Sequence, residues 1–181
     1  TPELLKAARV TLNRRLAAGG GHTGWSRAWI IAFWSRLGEG DLAYADLVEL
    51  FKICTYPNLM DNHPLPEALN HGPAVFQIDG NLGAAAALLD LLFQSYEGFY
   101  HCLPALPAAL NSGSIRGLKA RGGAEIAMKW QDGRVTWLSV KPVRDEQRDL
   151  QVNGRRWKLD LKADRKPCFV LMLIQVKPLC W

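Results

Sequence analysis

The 181-residue chain is 49% hydrophobic and 22% charged, a composition typical of a globular protein and not of a disordered one. Lys and Arg number 22 against 17 Asp and Glu, which gives a formal net charge of +5. The basic excess gathers after Arg116 without regularly interleaved aromatic residues, so we do not expect nucleic acid as a partner. No apolar run reaches the roughly 18 residues of a membrane helix, so we expect no membrane partner.

The cysteines and the start of the chain limit what can be said about its compartment. The chain begins with Thr1 and Pro2 and shows no signal peptide, which indicates a piece of a longer protein and says nothing about export. No Cys-x-x-Cys pair occurs, which predicts neither a dense disulfide framework nor a zinc site and leaves the redox compartment open. The four cysteines are widely spaced: Cys54, Cys102, Cys168 and Cys180.

Helical periodicity occupies the first half of the chain in four segments. A first helix ends at the glycines of residues 19–21, and residues 24–37 form a second that is apolar nearly all round. Asp41 is a plausible N-cap for a third helix, and residues 82–95 form a fourth. Since a helix that is apolar all round needs cover on several sides, we expect either a second unit or a larger helical assembly around residues 24–37.

After Leu103 the pattern changes to short strands. Residues 124–130 and 134–140 alternate around Asp132 and Gly133, a strong hairpin pattern. Residues 155–161 and 168–176 are further candidate strands. The predicted fold class is therefore α + β, helical first and then a small antiparallel β domain, with a boundary near residue 105 that separates residues 1–105 from residues 106–181.

Asp79 lies in the segment V-F-Q-I-D-G-N-L-G, residues 75–83, where an apolar run leads into two glycines. Judged by residue type alone, an N-cap or turn role is favoured for Asp79, and Asn81 can serve in the same way. The functional alternative is a carboxylate at a strand-to-helix junction. In that case Gly80 and Gly83 permit close approach of a ligand, and Asn81 can hydrogen-bond a hydroxyl group.

Two histidines in glycine-rich or long loops are further candidates. His22 and Trp25 follow three glycines and suit a sugar-binding wall, whereas the structural alternative is a helix entry capped by Thr23. His63 lies in the long loop of residues 56–73, with Asp61 and His71 nearby. These three have no recognised ligand spacing, so no metal is expected.

Five ordered motifs resemble the glycoside hydrolase family 95 α-L-fucosidases, and the resemblance covers roughly residues 1–160. They are G-G-H-T-G-W-S-R-A-W from Gly20, N-L-M-D-N-H-P from Asn58, F-Q-I-D-G-N-L-G from Phe76, L-P-A-L-P from Leu103 and S-G-S-I-R-G-L-K-A-R-G-G from Ser112.

The resemblance implies the C-terminal part of an (α/α)6 six-hairpin barrel in residues 1–105, followed by a β-sandwich-like domain in residues 106–181. It implies inverting hydrolysis of α-1,2-linked fucosyl glycans without a cofactor, with a fucosylated oligosaccharide or polysaccharide as partner. For the parent enzyme it implies a periplasmic or extracellular location. The nature of the glycan acceptor, and L-galactosides as an alternative to L-fucosides, stay open.

The resemblance also implies roles for particular residues. Asp79 matches the family's catalytic aspartate, which polarises an asparagine-bound water for attack on the anomeric carbon. His22 matches a histidine at the fucose pocket. With Trp25 as an aromatic wall, His63 and Asn81 complete the expected substrate-binding set.

Departures from the family pattern limit what the isolated chain is expected to do. The segments that carry the family's general acid and its asparagine pair have no counterpart here, and loss of a general acid alone forfeits roughly 10²–10⁴ in rate. Leu82 and Met60 stand where the family often has Phe, and the tail from about Asp164 does not resemble it. We therefore expect an inactive fragment. The alternatives are a non-catalytic carbohydrate-binding remnant and a module that self-associates through exposed helical faces.

Overall fold

The computed structural model describes residues 1–63, 75–163 and 168–171, and it divides into two compact units between Leu91 and Leu92. This division falls earlier than the boundary expected near residue 105. The reason is that Phe93–Gln94 and Phe99–Cys102 are strands of a sheet in the second unit, where the sequence pattern had predicted none.

The first unit contains the four predicted helices and one pair of short strands. These two-residue strands, β1 (Asn62–His63) and β2 (Val75–Phe76), pair antiparallel. The helices are α1 (Pro2–Ala17), α2 (Gly24–Arg36), α3 (Gly40–Ile53) and α4 (Ile78–Leu92).

The helix starts confirm one predicted cap and correct two others. Thr23 caps α2, because its Oγ1 accepts a hydrogen bond from the backbone N–H of Ser26 at 3.4 Å. Asp41 does not cap α3. It lies in the first turn, and the N-cap position belongs to Glu39, which makes no side-chain cap bond. Because α4 begins at Ile78, Asp79 also lies in a first turn, where a helix dipole favours an acidic side chain.

The core of the first unit forms where α2 meets α3 and α4. Ile30, Ile31 and Trp34 of α2 are fully buried, together with Leu50 of α3 and Ala87 of α4. The small side chain of Ala87 allows close approach, and the Ser35 hydroxyl donates to its carbonyl oxygen at 3.3 Å. The apolar packing of these helices, more than their intrinsic propensity, holds the unit together.

One side of α2 stays uncovered, as its nearly uniform apolar sequence predicted. Trp25 and Trp29 are 59% and 52% exposed, and Phe33 lies on the same side. The rings of Trp29 and Phe33 meet edge to face with centroids 4.6 Å apart. This row of aromatic residues gives the first unit an exposed apolar surface.

The second unit consists mainly of two four-stranded sheets with strand orders β10-β7-β6-β5 and β3-β4-β8-β9. All pairs are antiparallel except β4 with β8, which is parallel. The predicted order of helices before strands is thus confirmed. The strands are β3 (Phe93–Gln94), β4 (Phe99–Cys102), β5 (Gly113–Lys119), β6 (Glu125–Gln131), β7 (Arg134–Lys141), β8 (Glu146–Val152), β9 (Arg155–Leu161) and β10 (Cys168–Leu171).

Two tight hairpins set the register of these sheets. Asp132 and Gly133 have φ angles of 51° and 71°, as the predicted two-residue turn between β6 and β7 requires. Asn153 and Gly154 repeat the pattern between β8 and β9, with φ angles of 49° and 74°. The Asn153 side chain also bonds the N–H and the C=O of Val135, each at 2.9 Å, and so links the two sheets.

Among the residues that the structure describes, no helix combines the length and the apolar composition needed to cross a membrane.

Candidate active site

The chain folds back on itself after α3 and returns Asp61 to the helical core. The backbone N–H of Tyr56 donates to the Met60 carbonyl at 2.9 Å, and the N–H of Asn62 donates to the Cys54 carbonyl at 2.8 Å. Thr55 and Asp61 form an isolated antiparallel bridge across this turn. The geometry fixes residues 55–61 as a compact loop with Asp61 on its inner side.

Asn81 fastens this loop to α4. Its Oδ1 accepts from the N–H of Asp61 at 2.8 Å, and its Nδ2 donates to the Leu59 carbonyl at 2.8 Å. The side chain therefore holds backbone groups that have no helix or strand partner. Its predicted contact with a sugar hydroxyl stays a prediction.

The Asp61 side chain is fully buried where the first turns of α2 and α4 meet. Its residue is 0% exposed, and neither carboxylate oxygen has a hydrogen-bond partner among the described residues. A Cβ added to Gly24 or to Gly80 would overlap the Asp61 carboxyl group. Only glycine at both positions leaves room for this acid.

The electrostatic environment ties Asp61 to two predicted site residues. The pKa of Asp61 is raised to about 6, mainly by burial, with the charge of His63 acting to lower it and the negative charge of Asp79 acting to raise it. Asp79 itself is exposed in the first turn of α4. The structure therefore brings Asp79 and His63 to the same neighbourhood, with a buried acid between the helix starts.

Trp25 joins this neighbourhood from α2. Its backbone N–H donates to Oε1 of Gln77 at 2.9 Å, which connects the first turn of α2 to the residue that precedes α4. The indole itself is largely exposed. An exposed aromatic side chain and an exposed carboxylate at two helix starts that meet can together bind a sugar ring, because the ring stacks on the aromatic and its hydroxyls bond the polar groups.

His22 lies directly before the cap of α2. Its Nδ1 is 3.3 Å from the Gly19 carbonyl oxygen, and its own carbonyl accepts from the Cys54 thiol at 3.8 Å. Burial first, and then the charge of Asp61, raises the pKa of Cys54 to about 11. Cys54 is therefore a neutral hydrogen-bond donor that positions the His22 backbone, not a nucleophile.

The weak metal alternative gains no support from the described part of the chain. No group of three His, Cys, Asp or Glu side chains suited to a metal ion occurs in residues 1–63, 75–163 and 168–171. His71 lies outside the described residues, and His63 is half-buried in β1.

Asp61 is the residue whose importance the sequence analysis missed. The sequence suggests Asp61 only as a possible metal ligand. Single acids are common in loops, so its residue type indicates no other role. The pair Gly24 and Gly80 could have identified it. Helix starts favour Ser, Thr or Asp, so glycine at two of them indicates that another group occupies the space of a side chain.

Two family models cover most of the chain. The glycosyl hydrolase family 95 catalytic domain matches residues 1–92, and the glycoside hydrolase family 95 C-terminal domain matches residues 94–170. The transition between them coincides with the division of the structure between Leu91 and Leu92. The chain belongs to glycoside hydrolase family 95.

Similar proteins carry fucosidase names. Alpha-L-fucosidase 2 of Arabidopsis thaliana is 35% identical over 147 residues, which is 75% of this chain and 16% of the relative. Probable alpha-fucosidase A of Aspergillus niger is 30% identical over 125 residues, which is 63% of this chain and 15% of the relative. The chain thus spans about one sixth of the length of these relatives.

Proposed function

We propose that this chain is part of an inverting α-L-fucosidase-like glycoside hydrolase that acts on α-1,2-linked fucosyl glycans. The observation that carries the proposal is the meeting of α2 and α4 at Asp61, which holds exposed Trp25 and exposed Asp79 at neighbouring helix starts. Membership of family 95 and the fucosidase names of the relatives support it.

In this proposal Asp79 acts on the water side of the reaction. Its carboxylate polarises a water molecule, held by an asparagine of the parent enzyme, that attacks the anomeric carbon of fucose, and it receives the proton that the water loses. The bond from that carbon to the leaving oxygen breaks, and the leaving oxygen takes a proton from a general acid. We assign the general acid to a segment upstream of residue 1. Attack from the face opposite the leaving group inverts the configuration, so α-fucoside gives β-fucose.

The remaining predicted residues bind the sugar. Trp25 stacks on the apolar face of the fucose ring, and His22 and His63 offer ring nitrogens to its hydroxyls. Asn81 adds one amide hydrogen from the side chain that already holds the loop of residues 59–61. The partner is a fucosylated oligosaccharide or polysaccharide, and a periplasmic or extracellular location for the parent enzyme fits such substrates.

The isolated 181-residue chain tests where the general acid lies. The chain is incubated with an α-1,2-fucosylated oligosaccharide while NMR follows the anomeric protons and the Trp25 indole N–H. We expect weak binding at Trp25 and no release of fucose. Release of β-fucose that disappears in Asp79→Asn would contradict the assignment of the general acid to an upstream segment.

A chimera tests the catalytic role of Asp79. Residues 1–92 replace the matching segment of the Arabidopsis relative, so that the remainder of a catalytic domain is present. We expect release of β-fucose as the first product, and a loss of about 10²–10⁴ in kcat for Asp79→Asn. The matched control is Asp90→Asn at the other end of α4, where activity should be retained. An α-fucose product would exclude inversion, and full activity of Asp79→Asn would exclude the proposed role.

One observation favours a second candidate function, self-association. Leu4 is 67% exposed on α1, and Trp29 and Phe33 form an exposed apolar row on α2. Sedimentation of the isolated chain separates this candidate from sugar binding. Concentration-dependent assembly without any effect of the oligosaccharide on stability favours self-association. A monomer that binds sugar, but whose residues 1–92 give no turnover in the chimera, favours a non-catalytic binding remnant.

A further inference from the structure

We propose that Asp61 is a positioning residue of the sugar site, whose buried carboxyl group sets the spacing of the first turns of α2 and α4 and thereby of Trp25 and Asp79. The sugar-binding consequence rests on the proposed function, whereas the spacing itself is a property of the fold.

Burial excludes direct contact between Asp61 and a substrate. The residue is 0% exposed, and both carboxylate oxygens lack a hydrogen-bond partner in the described part of the chain. A buried polar group without a partner lowers stability, and folded proteins rarely keep one. Asp61 therefore cannot be explained by stability alone, and it acts through the groups that pack around it.

Those groups are the two helix starts. The space that the carboxyl fills is the space that side chains at Gly24 and Gly80 would need. Glycine within a helix lowers stability relative to alanine, so two helices each give up a favourable residue at the point where the acid lies. Asp61 breaks the rule that buried polar groups are paired, and Gly24 and Gly80 break the rule that helices avoid glycine. Such departures from distant segments that meet at one place are characteristic of a functional site.

Two hydrogen bonds join the segments that surround Asp61. Trp25 N–H to Gln77 Oε1 joins α2 to the start of α4, and Asn81 joins α4 to the backbone of Asp61. Asp61 is thus held from its backbone by α4 while its carboxyl contacts both helices. A change in the volume of this side chain is transmitted directly to the residues next to Gly24 and Gly80, which are Trp25 and Asp79.

Asp61 also responds to the charges that face it. Asp79 and His63 act on its ionisation in opposite directions, and Asp61 in turn acts on the buried Cys54 thiol. The influence of Asp79 is consistent with the placement of both carboxyl groups at the start of α4, within electrostatic range of each other.

The test measures spacing and sugar affinity separately in the full 181-residue chain. Asp61→Asn preserves the volume of the side chain, whereas Asp61→Ala removes it. We expect Asp61→Ala to move the NMR resonance of the Trp25 indole N–H and to weaken binding of an α-1,2-fucosylated oligosaccharide at least about tenfold. Asp61→Asn should restore the resonance and bring affinity to within about threefold of the wild type, because volume is the property proposed to matter.

A second set of variants tests the contact with the glycines. Gly80→Ala should lower Tm and move the Trp25 resonance, and Asp61→Gly in the same chain should recover Tm, because it makes room for the added methyl group. Ile31→Val, a buried change in α2, is the control that lowers Tm without lowering affinity.

The outcomes distinguish this inference from the proposed function. If the wild-type chain binds no fucosylated oligosaccharide, the proposed function fails for this chain, while the Trp25 resonance and the recovery of Tm still decide the inference. An unchanged Trp25 resonance in Asp61→Ala would overturn the positioning role. So would a double variant, Gly80→Ala with Asp61→Gly, whose loss of Tm equals the sum of the losses in the two single variants.

Discussion

Two buried aspartates of the first unit lie in opposite surroundings. Asp46 of α3 accepts from Arg27 Nη1 at 2.5 Å and from Trp34 Nε1 at 3.0 Å, so its carboxylate is paired where α2 meets α3. Asp61 is more deeply buried and its carboxylate has no such partner within the described residues. The paired acid is satisfied by groups of α2, and removing it would leave a buried cation without its partner, whereas the unpaired acid is the residue that we propose positions Asp79 and Trp25.

The largest expected effect comes from breaking the paired acid. Asp46→Ala leaves the Arg27 guanidinium buried without its partner and should lower the free energy of unfolding by about 3–5 kcal/mol. Urea denaturation measures the loss. Arg36 and Asp90 form a more exposed pair, so Asp90→Ala is the matched control, with an expected cost of about 1 kcal/mol or less. Equal losses in the two variants would remove the structural role given to Asp46.

The next effect is the pH dependence of the unpaired acid. Because the pKa of Asp61 rises from 3.8 to about 6 on folding, the folded state binds the proton more tightly. The free energy of unfolding should therefore fall as pH rises from about 4 to 6, by at most about 1.4 kcal/mol for each pH unit. Asp61→Asn should remove this dependence, and denaturant curves at each pH measure it. A dependence that survives in Asp61→Asn belongs to another group.

A smaller shift tests the link between the two carboxyl groups of the site. The negative charge of Asp79 raises the pKa of Asp61, so Asp79→Asn should lower that pKa below about 6. Carbon-13 NMR of the Asp61 carboxyl follows the titration directly. Asp90→Asn, on the same helix, provides the reference with an unchanged titration. No displacement in Asp79→Asn would mean that the two carboxyl groups are too far apart to share a site.

The smallest stability effect is expected at the exposed indoles. Trp25→Ala and Trp29→Ala should each lower the free energy of unfolding by about 1 kcal/mol, since each residue is more than half exposed. They should differ in function, because Trp25 follows Gly24, against which Asp61 packs, and its backbone N–H bonds Gln77. Titration with the fucosylated oligosaccharide should show weaker binding in Trp25→Ala alone. A larger loss in Trp29→Ala would move the sugar to a different part of α2.

Local patterns explain what the sequence could predict of this fold. The existence of four helices, the Thr23 cap and the turn at Asp132 and Gly133 depend on neighbouring residues and were predicted correctly. The bounds of the fourth helix were not, since it was predicted at residues 82–95 and lies at Ile78–Leu92. Asn153 and Gly154 carry the same turn chemistry. The strands Phe93–Gln94 and Phe99–Cys102 were missed because they are short and because β4 pairs with β8, a segment far along the chain.

The candidate site was predictable only in part for the same physical reason. Family motifs indicated Asp79, His22 and Trp25, but the role of Asp61 depends on two glycines in distant segments whose common feature appears only when α2 and α4 meet. Nor could residue type decide between a cap and a site for Asp79. The structure places it in the first turn of α4, exposed and electrostatically coupled to Asp61.

The most direct test of the account is a single NMR titration of the 181-residue chain with an α-1,2-fucosylated oligosaccharide. It follows the Trp25 and Trp34 indole N–H groups and the Asp61 and Asp46 carboxyl carbons together. We expect the Trp25 and Asp61 resonances to move with one common affinity while those of Trp34 and Asp46 stay in place. Binding that moves Trp34 and Asp46 but leaves Trp25 and Asp61 unchanged would contradict it.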